Sequence, residues 1–173
     1  MTIKGRTVGF LGAGNMGEAL IKGLLAAKLV PAQAIFATDV RPERLKELDR
    51  QYGIQVSSDN AELVKRADIV ILAVKPQIMD AVATEIAPAV TRGKLLISIA
   101  AGVATDKIRA RLPRDARLIR VMPNTPALVL EGATAIAKAD GLEAGDLDVA
   151  REIFGAVGER FDHDRDVRRP GAR

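Results

Sequence analysis

The sequence predicts an α/β protein, a doubly wound and mostly parallel sheet with helices on both faces. Three observations carry this prediction. Short apolar runs alternate with helical patterns along the chain, which is the pattern of right-handed βαβ units. A glycine-rich turn follows the first apolar run and opens a helix. The 173 residues are 48% hydrophobic but only 3% aromatic, so the core has to be built from Val, Ile, Leu and Ala.

In chain order, strands are expected at 7–12, 34–38, 53–56, 68–74, 94–99, 117–122 and 132–137. The first run is apolar almost throughout, as for a parallel strand buried on both faces. Helices are expected at 14–28, 42–51, 59–66, 77–89, 104–111 and 143–157. Ala19, Leu20, Gly23, Leu24 and Ala27 carry the helical spacing of the first, and Pro42 suits a first helical position. Asp59 followed by Glu62 reads as a variant capping box.

Charge and composition exclude several classes. The net charge is +4, but residues 160–173 hold five arginines against three aspartates, and the rest of the chain is nearly balanced. The alternation Arg41-Pro42-Glu43-Arg44-Leu45-Lys46-Glu47 reads as a solvated helix face, and neither nucleic acid nor a membrane is an expected partner. There is no cysteine, which removes disulfides and thiolate chemistry, and no metal site is expected. The chain reads as a soluble, cytoplasmic protein.

The turn Leu11-Gly12-Ala13-Gly14-Asn15-Met16-Gly17 has the G-x-G-x-x-G spacing of a Rossmann-like dinucleotide cradle. Gly12 suits the tight turn, Gly14 lets a pyrophosphate approach the backbone, and Gly17 lets the helix lie against the strand. Alone, the spacing also fits an ordinary tight turn. After the second strand stands Asp39, 22 residues beyond Gly17, with Arg41 beside it. The carboxylate suits a ribose 2′-hydroxyl and NAD, while the guanidinium suits a 2′-phosphate and NADP, so chemistry alone leaves the choice open. Asp39 could also merely start a turn.

The fourth strand ends in Ala73-Val74-Lys75-Pro76, where a doubly wound sheet presents its ligand crevice. Lys75 fits a phosphate or a carboxylate equally with an exposed loop position. Small residues in Ser98-Ile99-Ala100-Ala101-Gly102-Val103 allow a flat ring close to the backbone, and the prolines around Asn124-Thr125 fix a turn whose amide and hydroxyl could orient it. The only histidine, His163, lies in the arginine-rich end, and the only tyrosine, Tyr52, has no lysine one helical turn on. A carbonyl reduction wants such an acid, whereas a protonated imine does not, so the residues lean towards C=N chemistry or an acid from outside the chain.

The glycine turn, Ala73-Val74-Lys75-Pro76, Ser98 to Val103 and Met122-Pro123-Asn124-Thr125-Pro126-Ala127-Leu128-Val129 occur in an order that closely resembles pyrroline-5-carboxylate reductases. The resemblance covers residues 1 to about 159 and implies NAD(P)H-dependent reduction of 1-pyrroline-5-carboxylate to L-proline, with NADP(H) ahead of NAD(H). Carried over by position, it places Leu11, Gly12, Ala13, Gly14, Asn15 and Met16 at the pyrophosphate. Asp39, Arg41 and Asn60 fall at the adenosine ribose, although Asp39 departs from the small hydroxyl residue often found there. Ala73, Val74, Lys75, Pro76, Ile99, Ala100 and Ala101 fall along the nicotinamide half, with Asn124 and Thr125 beside it as orienting residues. No catalytic residue is assigned.

The same resemblance implies a nucleotide-binding domain over 1–159 and, after it, a helical domain that interlocks two subunits of a homo-oligomer and holds the substrate carboxylate. Residues 160–173 have no apolar period and read instead as an arginine-rich segment that does not fold by itself, which suggests truncation or a changed reading frame near residue 160. Ile153, Phe154 and Val157 are then expected to be left uncovered. A non-catalytic NAD(P)-binding module, or a related imine or β-hydroxyacid reductase, is the alternative function.

Overall fold

The computed structural model describes residues 2–129, 131–137 and 141–163. Four fully buried strands form its centre: β1 (Val8–Leu11), β2 (Ile35–Thr38), β4 (Ile69–Leu72) and β5 (Leu95–Ser98). With β3 (Gln55–Ser57), β6 (Arg117–Pro123), β7 (Gly132–Ala137) and β8 (Gly158–His163) they make one sheet in the order β3-β2-β1-β4-β5-β6-β7-β8. The order reverses between β1 and β4, which is the switch point where such sheets bind ligands. Register aligns Leu11 with Thr38 and Leu72, and Leu72 with Ser98, so the following loops leave from one edge.

The helices are α1 (Asn15–Ala26), α2 (Pro42–Tyr52), α3 (Asn60–Arg66), α4 (Met79–Ile86), α5 (Thr105–Arg109) and α6 (Asp146–Gly155). Alternation along each strand feeds two cores. Val8, Phe10, Ile69 and Ile71 pack with α1, α2 and α6, while Leu11, Val70 and Leu72 pack with α3, α4 and α5.

The predicted elements are present, with boundary changes that have local causes. Gly53, at φ +67°, ends α2 in the left-handed conformation, so the third strand starts at Gln55 rather than 53. The helix expected over 77–89 is α4 flanked by 3₁₀ turns at Pro76–Ile78 and Ala87–Ala89, each with a proline that withholds an N–H. The last helix starts at Asp146, not 143. Asp59 caps α3 as expected, its Oδ1 accepting the Glu62 N–H at 2.9 Å.

Two expectations are corrected at the far side of the sheet, where the mostly parallel sheet also takes its antiparallel step. β7 runs antiparallel to β6, because the short link between them has no room for a crossover helix. Residues 160–163, assigned to a segment that does not fold, belong to β8, which pairs with β7 in parallel, Thr134 opposite Arg160. Backbone pairing orders such an edge strand without an apolar period. Ile153, Phe154 and Val157 are fully buried instead of uncovered, packed in the α1-side core. Residues 164–173 lie outside the described residues.

Candidate functional site

The glycine turn leaves β1 at the switch point with each glycine in a distinct situation. Gly12 sits at φ +90°, and a Cβ there would stand 2.7 Å from the Ala73 carbonyl oxygen. A Cβ on Gly17 would come within 2.9 Å of the Gly12 oxygen, which closes α1 down on the strand. On Gly14 a Cβ would meet nothing within 4 Å, so that position borders open space. Gly14 is also the N-cap of α1 and provides no capping side chain. The N–H groups of Gly14, Asn15 and Met16 have no backbone acceptor among the described residues. Open space lined by unused donors at the positive end of a helix is what a pyrophosphate requires.

Asp39, just after β2, reaches back to this turn. Its Oδ2 accepts the Ala13 N–H at 3.1 Å, and its Oδ1 accepts the Arg41 N–H at 3.0 Å and Arg41 Nε at 2.9 Å. Its side chain is 8% exposed, while that of Arg41 is 60% exposed. Burial works against the charge of Asp39, but the Arg41 and Ala13 hydrogen bonds outweigh it and hold the carboxyl below the usual range. Of the three residues expected at the ribose, Asp39 thus touches the turn and Arg41 pairs with Asp39.

Arg44 was read as part of a solvated face, and the structure corrects this: its side chain is 12% exposed. Nε donates to the Ala13 carbonyl at 2.8 Å, NH1 to Glu47 at 2.9 Å, and NH2 pairs with Glu18 on α1. Tyr52 donates its hydroxyl to the other Glu18 oxygen at 2.8 Å. Burial and the Glu18 hydrogen bond push the Tyr52 phenol up to about 12, so it stays protonated and tied to α1. Burial opposes the charge of Glu18 too, but its bonds to Arg44 and Tyr52 lower its pKa. One signal was available: Arg44 stands one turn before the buried Leu48, beside the inner stripe of α2.

Asn60 opens α3 beside the end of β2. Its Oδ1 accepts the Thr38 hydroxyl at 2.6 Å, and its Nδ2 donates to Glu85 at 3.1 Å. Thr38, 2% exposed, is thus a second residue that the pattern did not single out.

Past β4, the Ala73 N–H donates to the Leu11 carbonyl at 2.8 Å, which ties the two loops at the switch point. Val74 is partly buried, and Lys75 and Pro76 are exposed at the start of the 3₁₀ turn. The Lys75 ammonium has no hydrogen-bond or ion-pair partner among the described residues. Ile99 donates its N–H to Leu72 at 3.2 Å, Ala100 is buried, and Ala101 is exposed before Gly102 at φ +72°. Asn124 follows β6, and its Oδ1 accepts the Ala133 N–H at 2.8 Å, leaving the amide NH₂ as its remaining donor. Thr125 opens the 3₁₀ turn Thr125–Val129, and its side chain lies outside the described residues. No helix among the described residues is long and apolar enough to cross a membrane.

Residues 7–102 match the family described as NADP oxidoreductase coenzyme F420-dependent. The chain is 44% identical over 156 residues to a pyrroline-5-carboxylate reductase of Methanosarcina acetivorans, an alignment covering 90% of this chain and 58% of the relative. A solved pyrroline-5-carboxylate reductase of Coxiella burnetii superposes with TM-score 0.89 at 31% identity, over 93% of this chain and 60% of that one. The Plasmodium falciparum pyrroline carboxylate reductase with NADP bound gives TM-score 0.83 at 29% identity, over 94% and 59%. The chain thus spans somewhat over half the length of the proteins it matches. With the glycine turn, the crossing point and the loops after β4 and β5 all inside the matched span, the chain belongs to the NADP oxidoreductase coenzyme F420-dependent family, and pyrroline-5-carboxylate reductases are the relatives it resembles.

Proposed function

We propose that the chain is the nucleotide-binding part of a cytoplasmic reductase that converts 1-pyrroline-5-carboxylate to L-proline with NADP(H) in preference to NAD(H). The observation that carries this reading is the gap at Gly14, where a Cβ would meet nothing within 4 Å and three adjacent N–H groups have no backbone acceptor among the described residues. The sheet through β8, with its helices, forms the nucleotide-binding unit of this proposal. Leu11 to Met16 hold the pyrophosphate, Asp39, Arg41 and Asn60 take the adenosine ribose, and Ala73 to Pro76 with Ile99 to Ala101 line the nicotinamide half. The exposed guanidinium of Arg41 supports the preference for a 2′-phosphate, as does the NADP bound by the Plasmodium relative.

When bound, the dihydronicotinamide supplies the hydride. The chain's residues bind and orient: the small side chains of Ala100 and Ala101 leave the backbone accessible to a flat ring, and the Asn124 amide offers a donor beside it. The hydride joins the imine carbon and the C=N electron pair withdraws to a nitrogen that already carries its proton, so the product amine is neutral and needs no acid from Tyr52. NADPH oxidation with pyrroline-5-carboxylate, measured beside direct NADPH binding, tests the reading. Turnover supports the reductase. Binding without turnover supports only the NAD(P)-binding part of the reading, which a non-catalytic module shares, and the absence of both overturns the proposal.

A further inference from the structure

The cofactor reading treats Asp39 as a ribose ligand and leaves Arg44 unused, yet the two side chains grip one residue from both sides. Asp39 Oδ2 accepts the Ala13 N–H at 3.1 Å, and Arg44 Nε donates to the Ala13 carbonyl at 2.8 Å. No peptide bond among the described residues is cis. In a planar trans peptide the carbonyl of one residue and the N–H of the next point in opposite directions. With its carbonyl drawn to Arg44, the Ala13–Gly14 peptide therefore turns the Gly14 N–H away from Arg44. Gly14 has no Cβ to hold this peptide in place, and its N–H has no acceptor among the described residues. Arg44 is itself fixed, with Glu18 on α1 and Glu47 on α2 taking its two outer nitrogens.

We propose that Arg44 is a positioning residue for the phosphate-binding turn, holding the Ala13 carbonyl so that the Gly14 N–H is presented to the pyrophosphate before the cofactor arrives. The inference rests on the NAD(P)-binding reading and adds to it a residue that touches no part of the cofactor. It also gives Asp39 a second task, since the carboxylate proposed for the ribose end fixes the preceding Gly12–Ala13 peptide through the Ala13 N–H. Preorganisation of this kind strengthens binding by removing an ordering cost.

The test measures dissociation constants of NADPH, NADH and adenosine 2′-monophosphate for the full chain and for Arg44→Met, Arg44→Lys and Glu18→Gln. Adenosine 2′-monophosphate carries the ribose end but no pyrophosphate. Loss of a charge-assisted hydrogen bond is worth roughly tenfold in affinity. Arg44→Met is expected to weaken NADPH and NADH equally by about that factor, to leave adenosine 2′-monophosphate within about twofold, and to be partly rescued by Arg44→Lys. Glu18→Gln keeps the guanidinium but loosens its anchor, and should show the same pattern at smaller size even where Arg44→Met does not fold. Loss confined to NADPH would make Arg44 a 2′-phosphate ligand and overturn the proposal. Equal loss of the pyrophosphate-free probe, or no loss at all, would overturn it too. A wild-type chain that binds neither dinucleotide removes the cofactor reading itself, an outcome distinct from a mutant that matches wild type.

Discussion

Glycine does opposite work at the two sides of the sheet. At the switch point, a Cβ on Gly14 would meet nothing within 4 Å, while at the far side one on Gly158 would stand 2.0 Å from the Gly132 carbonyl oxygen. The first absence of a side chain keeps room for something to enter, and the second lets two strands of the protein close on each other. Arginine follows the same division. Arg117, 3% exposed in β6, pairs with the fully buried Asp146 at 2.9 Å and Glu143 at 3.0 Å, and donates to the Gly93 carbonyl, joining the sheet to α6. Arg41, near the glycine turn, pairs with Asp39 but keeps most of its side chain in solvent. One region buries a guanidinium whose two outer nitrogens hold the fold together, and the other leaves N–H groups without a backbone acceptor and most of Arg41 in solvent.

The largest expected effect attacks the packed side. Gly158→Ala places a Cβ against backbone at a φ of +143° and should cost more than about 3 kcal/mol, read as a loss of folding free energy in urea. Asp146→Asn removes the charge facing Arg117 and should cost about 3 kcal/mol by the same measurement. A cost below 1 kcal/mol for either would erase the contrast between the two regions.

Gly14→Ala sharpens the contrast from the other side. Its Cβ enters open space, so stability should stay within about 0.5 kcal/mol, while in the proposed binding mode the methyl group obstructs the pyrophosphate and NADPH affinity should fall about tenfold. Destabilisation without loss of binding would show that the gap serves the fold rather than a ligand. The smallest effect is in pH. Asp39 and Glu18 both have lowered pKa values, so their stabilisation is complete above the unfolded-state range near pH 4 and is lost as pH falls through their folded values. Urea midpoints should be flat from pH 7 to 5 and then fall, less steeply in Asp39→Asn than in the wild type.

The site was legible to different depths in these two regions. The G-x-G-x-x-G spacing located the turn because each glycine answers a local demand of backbone conformation or close approach. Asp39, Arg41 and Asn60 were proposed from their distance along the chain or from family resemblance; Asp39 reaches the turn at Ala13, Arg41 pairs with Asp39, and Asn60 meets Thr38 at the end of β2. Arg44, Glu18, Tyr52 and Thr38 were missed, because a charged residue on a helix carries no mark of whether its outer end meets water or the carbonyl of a turn 31 residues away. On the far side, an arginine-rich stretch hid β8, whose order comes from pairing with β7.

By itself the sequence determined the order and kind of the elements as far as α6 and the position of the glycine turn, since apolar period, capping and turn chemistry are set by neighbours a few residues apart. The antiparallel entry of β7, the burial of Ile153 and Phe154 in α6, and the double hold on Ala13 by Asp39 and Arg44 were decided only in the tertiary structure. Each depends on which surfaces meet once the sheet has assembled, and that is fixed by packing and pairing between distant segments rather than by local preference.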